Sequence, residues 1–209
     1  MPYRAVIFDL GGVVVPSPLD AFRAYEEANG LPPRFVSEVV VRGGDDGAWA
    51  RFERSDVTYD EFVTAFEGEC AASGGRVAVG ELLGSIRAGR RPHPEMLAAI
   101  GAIRARGLKA GALTNNWTTP EREGAMATVR EYFDDVVESS VEGLRKPDPR
   151  IYLLACERLD VEPSETVFLD DLGANLKPAR ALGMTTIKVT DPAGAIADLE
   201  RTLGFSLAP

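Results

Sequence analysis

Short apolar runs rich in β-branched and aromatic residues recur along this chain, and each is followed by a polar or turn-forming residue. Such runs are typical of strands that are buried on both faces of a parallel sheet. Three of them end at Asp9, Thr114 and Asp170. The predicted strands are Ala5–Phe8, Leu108–Leu113, Val136–Val137, Thr166–Leu169 and Thr186–Val189.

Helical patterns separate these runs. Pro94–Arg106 carries apolar residues at helical intervals, and Leu176, Ala179 and Leu182 form an apolar stripe that ends before Gly183. Strands that alternate with helices predict an α/β fold, with a Rossmann-like three-layer core in which helices cover both faces of a parallel sheet. We expect the first strand to lie near the middle of that sheet.

The alternation is interrupted between residues 16 and 91. Aromatic residues stand there among charged residues at helix-like intervals, and Asn-Gly, Pro-Pro and Gly-Gly pairs interrupt them. We therefore predict a small helical cap domain over residues 16–91. It would be inserted into a Rossmann-like core domain formed by residues 1–15 and 92–209.

The charge of the chain bears on its partners. It contains 32 acidic and 23 basic residues, which gives a formal net charge of -9. This balance disfavours nucleic acid and anionic membranes as partners, so neither is predicted. A small phosphorylated or otherwise anionic substrate would need a local positive site. The sequence leaves the oligomeric state open and is compatible with a homodimer.

The cysteines and the N-terminus bear on the compartment. Cys70 and Cys156 lie far apart and without metal-ligand spacing, which predicts buried thiols in a reducing environment. The first apolar run meets the charged Asp9 too early for a signal peptide, and no later run approaches membrane-spanning length. We expect a cytoplasmic protein.

Polar side chains follow several of the predicted strands directly. They are Asp9, Thr114 and the adjacent pair Asp170 and Asp171. One strand-end aspartate is ordinarily a turn or helix-cap residue. In open α/β sheets, however, ligands bind beyond the carboxyl ends of the strands. Three strands that deliver such residues to one edge of a sheet therefore predict a functional site.

Four motifs, in order, resemble those of the haloacid dehalogenase superfamily of hydrolases. They are FDLGGVV around Asp9, LTNN around Thr114, KPDP beginning at Lys146, and FLDDLGAN around Asp170 and Asp171. The resemblance covers nearly the whole chain. Within the superfamily, the motifs are similar to those of the phosphatase-like domains joined to soluble epoxide hydrolase and to acyl-CoA dehydrogenase-family proteins. The resemblance implies a hydrolase, of the phosphatase type.

The resemblance also implies roles for the motif residues. Asp9 matches the nucleophile that attacks phosphorus and forms an aspartyl-phosphate. Lys146 matches the lysine that pairs with this nucleophile and stabilises the negative charge of the transition state, so it counts both as catalytic and as substrate-binding. Thr114 matches a phosphate-binding hydroxyl, and Asn115 adds a further donor.

Magnesium is the cofactor that the resemblance implies. Mg²⁺ prefers oxygen ligands, and here they would be Asp9, the backbone carbonyl of Gly11, and Asp171. Asp170 would hold the ion directly or through water. Asn175 would orient the same loop.

One position departs from the family pattern. Phosphatases of this superfamily carry a second aspartate two residues after the nucleophile, and here Gly11 takes its place. General acid-base assistance of that kind is worth about 100- to 10,000-fold in rate. The only histidine, His93, is either a helix-entry residue or a substitute acid.

Three functions are compatible with Gly11. The first is a weak phosphatase that takes its proton from water or from a cap residue. The second is a 2-haloacid dehalogenase-type hydrolase, whose halide leaves without a proton, and the third is a non-catalytic metal- or ligand-binding module. Those dehalogenases are metal-independent, so the Asp170 and Asp171 pair favours the phosphatase.

Overall fold

The computed structural model describes residues 3–89, 91–118 and 129–207. Within them, five parallel strands form one sheet in the order β3-β2-β1-β4-β5. The strands are β1 (Ala5–Phe8), β2 (Lys109–Thr114), β3 (Asp135–Glu138), β4 (Thr166–Asp170) and β5 (Thr185–Lys188). The predicted α/β fold with a parallel sheet is confirmed, and β1 is the central strand.

The described helices fall into two groups along the chain. Those between β1 and β2 are α1 (Pro18–Ala28), α2 (Phe35–Gly43), α3 (Ala48–Glu53), α4 (Tyr59–Ala72), α5 (Val79–Ala88) and α6 (Pro94–Ala105). Those after β3 are α7 (Ser139–Glu142), α8 (Pro149–Arg158), α9 (Gly173–Ala181) and α10 (Pro192–Leu203). Two short 3₁₀ turns lie at Gly44–Asp46 and Pro163–Glu165.

The central strand β1 is buried on both faces. Successive side chains of a strand point to opposite sides of the sheet. Val6 and Phe8 therefore belong to a cluster formed with α6 and α10, whereas Ala5 and Ile7 belong to a cluster formed with α8 and α9. This arrangement explains why β1 is a continuous apolar run and gives the core its three layers.

Helices α1–α5, called the insertion helices below, form a hydrophobic cluster of their own. Phe22, Trp49, Phe62 and Phe66 are among its buried members. Trp117 joins this cluster from the segment that follows β2. The division of the chain into domains at residues 16 and 91 stays a prediction.

Local capping explains where several helices begin. The hydroxyl of Ser17 accepts a hydrogen bond from the backbone N–H of Leu19, and Pro18 occupies the first position of α1. His93 precedes α6, and its backbone N–H donates to the carbonyl of Val14 at 2.8 Å. His93 thus lies at a helix entry and ties α6 to the segment that follows β1.

Two further expectations concern the thiols and membranes. Cys70 and Cys156 are buried and form no disulfide, as predicted. Across the ranges that the structure describes, no helix combines the length and the apolar character needed to span a bilayer.

Candidate active site

The carboxyl ends of β1, β2 and β4 meet at one edge of the sheet. Phe8, the last residue of β1, is in register with Leu169 of β4. Asp9 and Asp170 therefore leave adjacent strands side by side, and Thr114 ends β2 on the other side of β1. The strand order reverses between β1 and β4, and ligands bind at such points in open α/β sheets.

The ammonium group of Lys146 lies between two carboxylates at this edge. Its Nζ is 2.8 Å from Asp9 Oδ2 and 2.7 Å from Asp170 Oδ2, and the side chain is 1% exposed. Burial by itself lowers the pKa of Lys146, but the two carboxylates outweigh that effect and raise the pKa above its usual value. The lysine therefore stays charged inside the protein because it is paired.

Asp9, Asp170 and Asp171 form a compact group of carboxylates. Each contributes an oxygen, and the three oxygens lie within 4.8 Å of one another. Burial raises the pKa of Asp9 to about 8, opposed by Lys146 and reinforced by the other two carboxylates. Burial and repulsion from Asp170 likewise raise the pKa of Asp171. Three carboxyl groups beside one ammonium are suited to a divalent cation, and an all-oxygen donor set suits a hard one such as Mg²⁺.

Hydrogen bonds distinguish the members of this group. Asp170 is fully buried and accepts hydrogen bonds from the backbone N–H of Leu172 at 2.8 Å and from the amide of Asn175 at 3.0 and 3.1 Å. Asp171 accepts a hydrogen bond from Ser17 Oγ at 3.2 Å. Asp170 is therefore held from several sides, whereas Asp171 keeps more of its oxygen lone pairs for a ligand.

Two consecutive glycines follow β1, and the second, Gly12, passes directly beside one of these carboxylates. A Cβ added at Gly12, where φ is +78°, would lie 2.3 Å from Asp171 Oδ2, so only glycine leaves room for that carboxylate. At Gly11 an added Cβ would lie 3.2 Å from Pro18 Cδ, which is tight but not prohibitive. Metal binding by the carbonyl of Gly11 stays a prediction.

The predicted phosphate-binding pair is connected to the lysine. The backbone N–H of Lys146 donates to Asn115 Oδ1 at 2.8 Å, and Asn115 Nδ2 donates to the carbonyl of Lys146 at 2.9 Å. The Asn115 side chain thus positions Lys146 and keeps one amide hydrogen for a ligand. The buried hydroxyl of Thr114 makes only a long contact of 3.4 Å to the carbonyl of Asn115 among the described residues. Substrate binding by both residues stays a prediction.

A cavity of about 330 Å³ lies between this edge of the sheet and the insertion helices. It is lined by most of the residues predicted from sequence, namely Asp9, Gly11, Thr114, Asn115, Lys146 and Asp171. Asp170 lies behind them, in contact with the lysine. The structure therefore brings the sequence-predicted residues to one place.

The cavity also contains charged residues that sequence analysis missed. Arg145 Nε donates to Glu53 Oε2 at 2.9 Å, and Trp49 Nε1 donates to Glu53 Oε1 at 3.0 Å. Asp45 lies next to this pair, 3.4 Å from Arg145. Because Arg145 directly precedes Lys146 in the sequence, its place in the cavity could have been expected. Nothing in the local sequence marks Glu53 or Asp45.

Comparison with known proteins identifies the family. A model of haloacid dehalogenase-like hydrolases matches residues 3–183. The chain belongs to this family. The assignment of Asp9, Thr114, Lys146 and the two later aspartates to its active site stays a prediction.

Several relatives match nearly the whole chain. Acyl-CoA dehydrogenase family member 10 of Mus musculus is 43% identical over 98% of this chain and 20% of its own length. Bifunctional epoxide hydrolase 2 of Sus scrofa is 36% identical over 99% of this chain and 40% of its own length. Sesquiterpene phosphatase astK of Aspergillus oryzae is 25% identical over 97% of both chains. The chain thus spans well under half the length of the first two relatives.

Solved structures share the fold. A predicted haloacid dehalogenase-like hydrolase of Porphyromonas gingivalis aligns with a TM-score of 0.69 and 22% identity, over 97% of this chain and 98% of that one. A family enzyme of Bacteroides thetaiotaomicron, in complex with magnesium and inorganic phosphate, aligns with a TM-score of 0.63 and 19% identity, over 90% of this chain and 96% of that one.

Proposed function

We propose that this haloacid dehalogenase-like hydrolase removes phosphate from small phosphomonoesters in a Mg²⁺-dependent reaction, with Asp9 as the nucleophile. The observation that carries the proposal is the placement of the Lys146 ammonium between Asp9 and Asp170, within a group of three carboxylates. The relative named as a sesquiterpene phosphatase, and the structural neighbour bound to magnesium and phosphate, support it.

The residues present fit a bound Mg²⁺ ion. Asp9, Asp171 and the carbonyl of Gly11 would hold it, with Asp170 as a direct or water-mediated ligand. The close approach of Asp171 to Gly12 supports this assignment. A side chain at position 12 would occupy the place of the Asp171 carboxylate, and glycine leaves that place open. When bound, the ion would offset the repulsion between the phosphate and the carboxylates.

The proposed reaction has two displacements. A carboxylate oxygen of Asp9 attacks phosphorus, the bond from phosphorus to the alcohol oxygen breaks, and an aspartyl-phosphate remains. Water then attacks phosphorus and the bond from phosphorus to the Asp9 oxygen breaks, so that inorganic phosphate leaves and the carboxylate of Asp9 is restored. Thr114 and Lys146 bind the phosphoryl oxygens and stabilise their negative charge. With glycine at position 11, the departing alcohol takes its proton from water.

The wall of the cavity suggests the type of alcohol. Leu19, Phe22, Val40, Trp49 and Leu172 line the space next to the reacting groups. Apolar walls with a few polar groups are typical of pockets that bind mostly apolar ligands. We therefore propose a phosphomonoester whose alcohol is largely apolar, which agrees with the name of the Aspergillus relative.

Replacement of the nucleophile tests the proposal. Asp9→Asn preserves the size of the side chain and should abolish Mg²⁺-dependent phosphate release from a panel of alkyl phosphates, while thermal unfolding shows that the fold is retained. Asp46→Asn, an exposed aspartate that does not line the cavity, is the matched control and should keep full activity. Undiminished activity of Asp9→Asn would rule out this nucleophile.

The same screen separates the other two functions. Halide release from short 2-haloacids without metal would identify a dehalogenase-type enzyme. Binding of Mg²⁺ without turnover of either substrate class would identify a non-catalytic module.

A further inference from the structure

The cavity holds little positive charge that a substrate could use. Among the described residues that line it, Lys146 and Arg145 are the cationic side chains. Lys146 is paired with Asp9 and Asp170 at 2.8 and 2.7 Å. A divalent cation would bring the three carboxylates and this ammonium to formal neutrality. This group would then have no positive charge left over for a second anionic group of the substrate.

Arg145 is also committed to a carboxylate. Its Nε donates to Glu53 Oε2 at 2.9 Å, and the other oxygen of Glu53 accepts a hydrogen bond from Trp49 Nε1 at 3.0 Å. Glu53 is buried, and its backbone carbonyl accepts a hydrogen bond from Ser139 Oγ at 2.7 Å. Glu53 and Arg145 therefore form an ion pair in this wall of the cavity, and their two charges balance each other.

Asp45 adds a negative charge that is not balanced in the same way. It lies in the 3₁₀ turn Gly44–Asp46, and its side chain is 82% exposed. Among the described residues its ion pair is a contact of 3.4 Å with Arg145 Nη1, whose guanidinium is already bound by Glu53. Arg54 donates to the backbone carbonyl of Asp45 at 2.9 Å, but its charge is paired with Asp56 at 2.8 Å. Outside the group of Asp9, Asp171 and Lys146, the described charged side chains that line the cavity are Asp45, Glu53 and Arg145, which together carry a net negative charge.

We propose that Asp45 determines specificity by repelling phosphomonoesters whose alcohol carries a second negative charge. The inference rests on the proposed phosphatase function and narrows its substrate class to esters of uncharged alcohols. We take a separation of about 5 Å between Asp45 and the second charge of the substrate; two like charges at that distance in a water-like medium repel enough to change a selectivity ratio about fourfold. Selection by repulsion agrees with the absence of an uncommitted cation among the described lining residues.

Two esters with the same two-carbon frame test this proposal. Ethyl phosphate carries a methyl group where 2-phosphoglycolate carries a carboxylate. Wild-type protein with Mg²⁺ should show a higher kcat/KM for ethyl phosphate. Asp45→Asn should shift the ratio of the two kcat/KM values about fourfold toward 2-phosphoglycolate.

Asp46→Asn provides the control for net charge. Asp46 is in the same turn and is exposed, but it does not line the cavity, so its replacement should leave the ratio unchanged. Because Asp45 is exposed, the wild-type preference should also shrink as NaCl is raised, and this salt dependence should be weaker in Asp45→Asn. Equal ratios in Asp45→Asn and Asp46→Asn, or equal kcat/KM values for both esters in wild type, would overturn the proposal.

Binding separates this proposal from the proposed function. If neither these two esters nor the panel of alkyl phosphates is hydrolysed, the phosphatase function fails. Calorimetric dissociation constants of the two esters, in the presence of Mg²⁺, then test the selectivity of wild type and both variants. A ratio shifted in Asp45→Asn alone supports the proposal, and a ratio that is the same in all three proteins overturns it.

Discussion

Asp9 is buried beside two other carboxyl groups, and the ammonium of Lys146 balances only part of their charge. Burial raises its pKa from an ordinary 3.8 to about 8. Because the folded pKa lies above the unfolded one, protonation of Asp9 stabilises the metal-free fold below the unfolded value, and that stabilisation is lost as the pH rises through about 8. Because a metal ion requires the ionised carboxylate, the proposed binding of Mg²⁺ would be linked to the release of a proton.

We expect the apparent Mg²⁺ affinity to rise by about tenfold per pH unit below pH 8 and to level off above it, because one proton must leave Asp9. Titration calorimetry near neutral pH, in buffers of different protonation enthalpy, should show release of about one proton for each ion bound. Asp9→Asn should lose both effects. A wild-type affinity that does not change with pH would contradict this account.

Substitution of Gly11 tests whether the missing general acid limits the rate. Its φ lies outside the left-handed region, and a Cβ there would require Pro18 Cδ, 3.2 Å away, to move by only a few tenths of an ångström. Gly11→Asp should raise kcat/KM for ethyl phosphate by at least about tenfold, because general acid assistance is worth about 100- to 10,000-fold in established enzymes.

The leaving group and a matched variant provide the controls for Gly11→Asp. 4-Nitrophenyl phosphate should gain little, since its leaving group departs as a stable anion. Gly11→Asn has nearly the same size without an acidic proton and should not accelerate either substrate. If Asn and Asp at position 11 have the same effect, the missing acid does not limit the rate.

At the scale of elements, the segment that follows β1 positions the carboxylates of two strands. Gly12 has a φ of +78° and leaves the space that Asp171, which follows β4, occupies. Gly30 has a φ of +66° with no atom within 4 Å of an added Cβ, so it offers the same backbone strain without the contact. A comparison of substitutions at Gly12 and Gly30 therefore distinguishes the effect of backbone strain from the effect of displacing the Asp171 carboxylate.

We expect Gly12→Ala and Gly30→Ala each to lower the free energy of unfolding by about 1–2 kcal/mol because of the positive φ. Only Gly12→Ala should also weaken Mg²⁺ binding, by about tenfold or more, because its methyl group would displace Asp171. Chemical denaturation and titration calorimetry measure the two effects. Equal Mg²⁺ affinities in the two variants would show that Asp171 does not bind the ion.

Element boundaries show how far local sequence patterns reach. Pro94 and the helical spacing after it predicted a helix to Arg106, and α6 ends one residue earlier, at Ala105. The stripe of Leu176 and Ala179 likewise lies in α9. These signals are local, because capping and side-chain periodicity act within a few residues. The short α7 had no such signal and was not predicted.

At the scale of the whole molecule, Trp117 connects the segment that follows β2 with the insertion helices. Its ring centroid lies 5.7 Å from that of Trp49 and 6.0 Å from that of Phe52, both in α3. Trp117 is three residues after Thr114, the last residue of β2. A residue that follows a strand of the sheet is therefore packed into the cluster of the insertion helices. The insertion helices and the predicted phosphate-binding residues should therefore depend on each other.

Removal of this ring should loosen the connection. Trp117→Ala should lower the free energy of unfolding by about 3–5 kcal/mol and should cause the insertion helices to unfold at a lower temperature than the sheet. Trp117→Phe, which keeps an aromatic ring, should lose much less. Differential scanning calorimetry would show a broadened or divided transition for the Ala variant, and an unchanged single transition would contradict the proposed dependence.

The sequence by itself determined the strands that are buried on both faces, several helix starts, the family motifs and the residues that gather at the edge of the sheet. These features depend on short-range spacing and on the rule that parallel strands deliver their carboxyl ends to one edge. Only the tertiary structure decided how Asn115 holds Lys146, and how Glu53 pairs with Arg145 across 92 positions of the chain. It also placed Asp45 on the cavity wall. The physical reason is that a contact between distant segments depends on the packing of the insertion helices against the sheet, which no local pattern records.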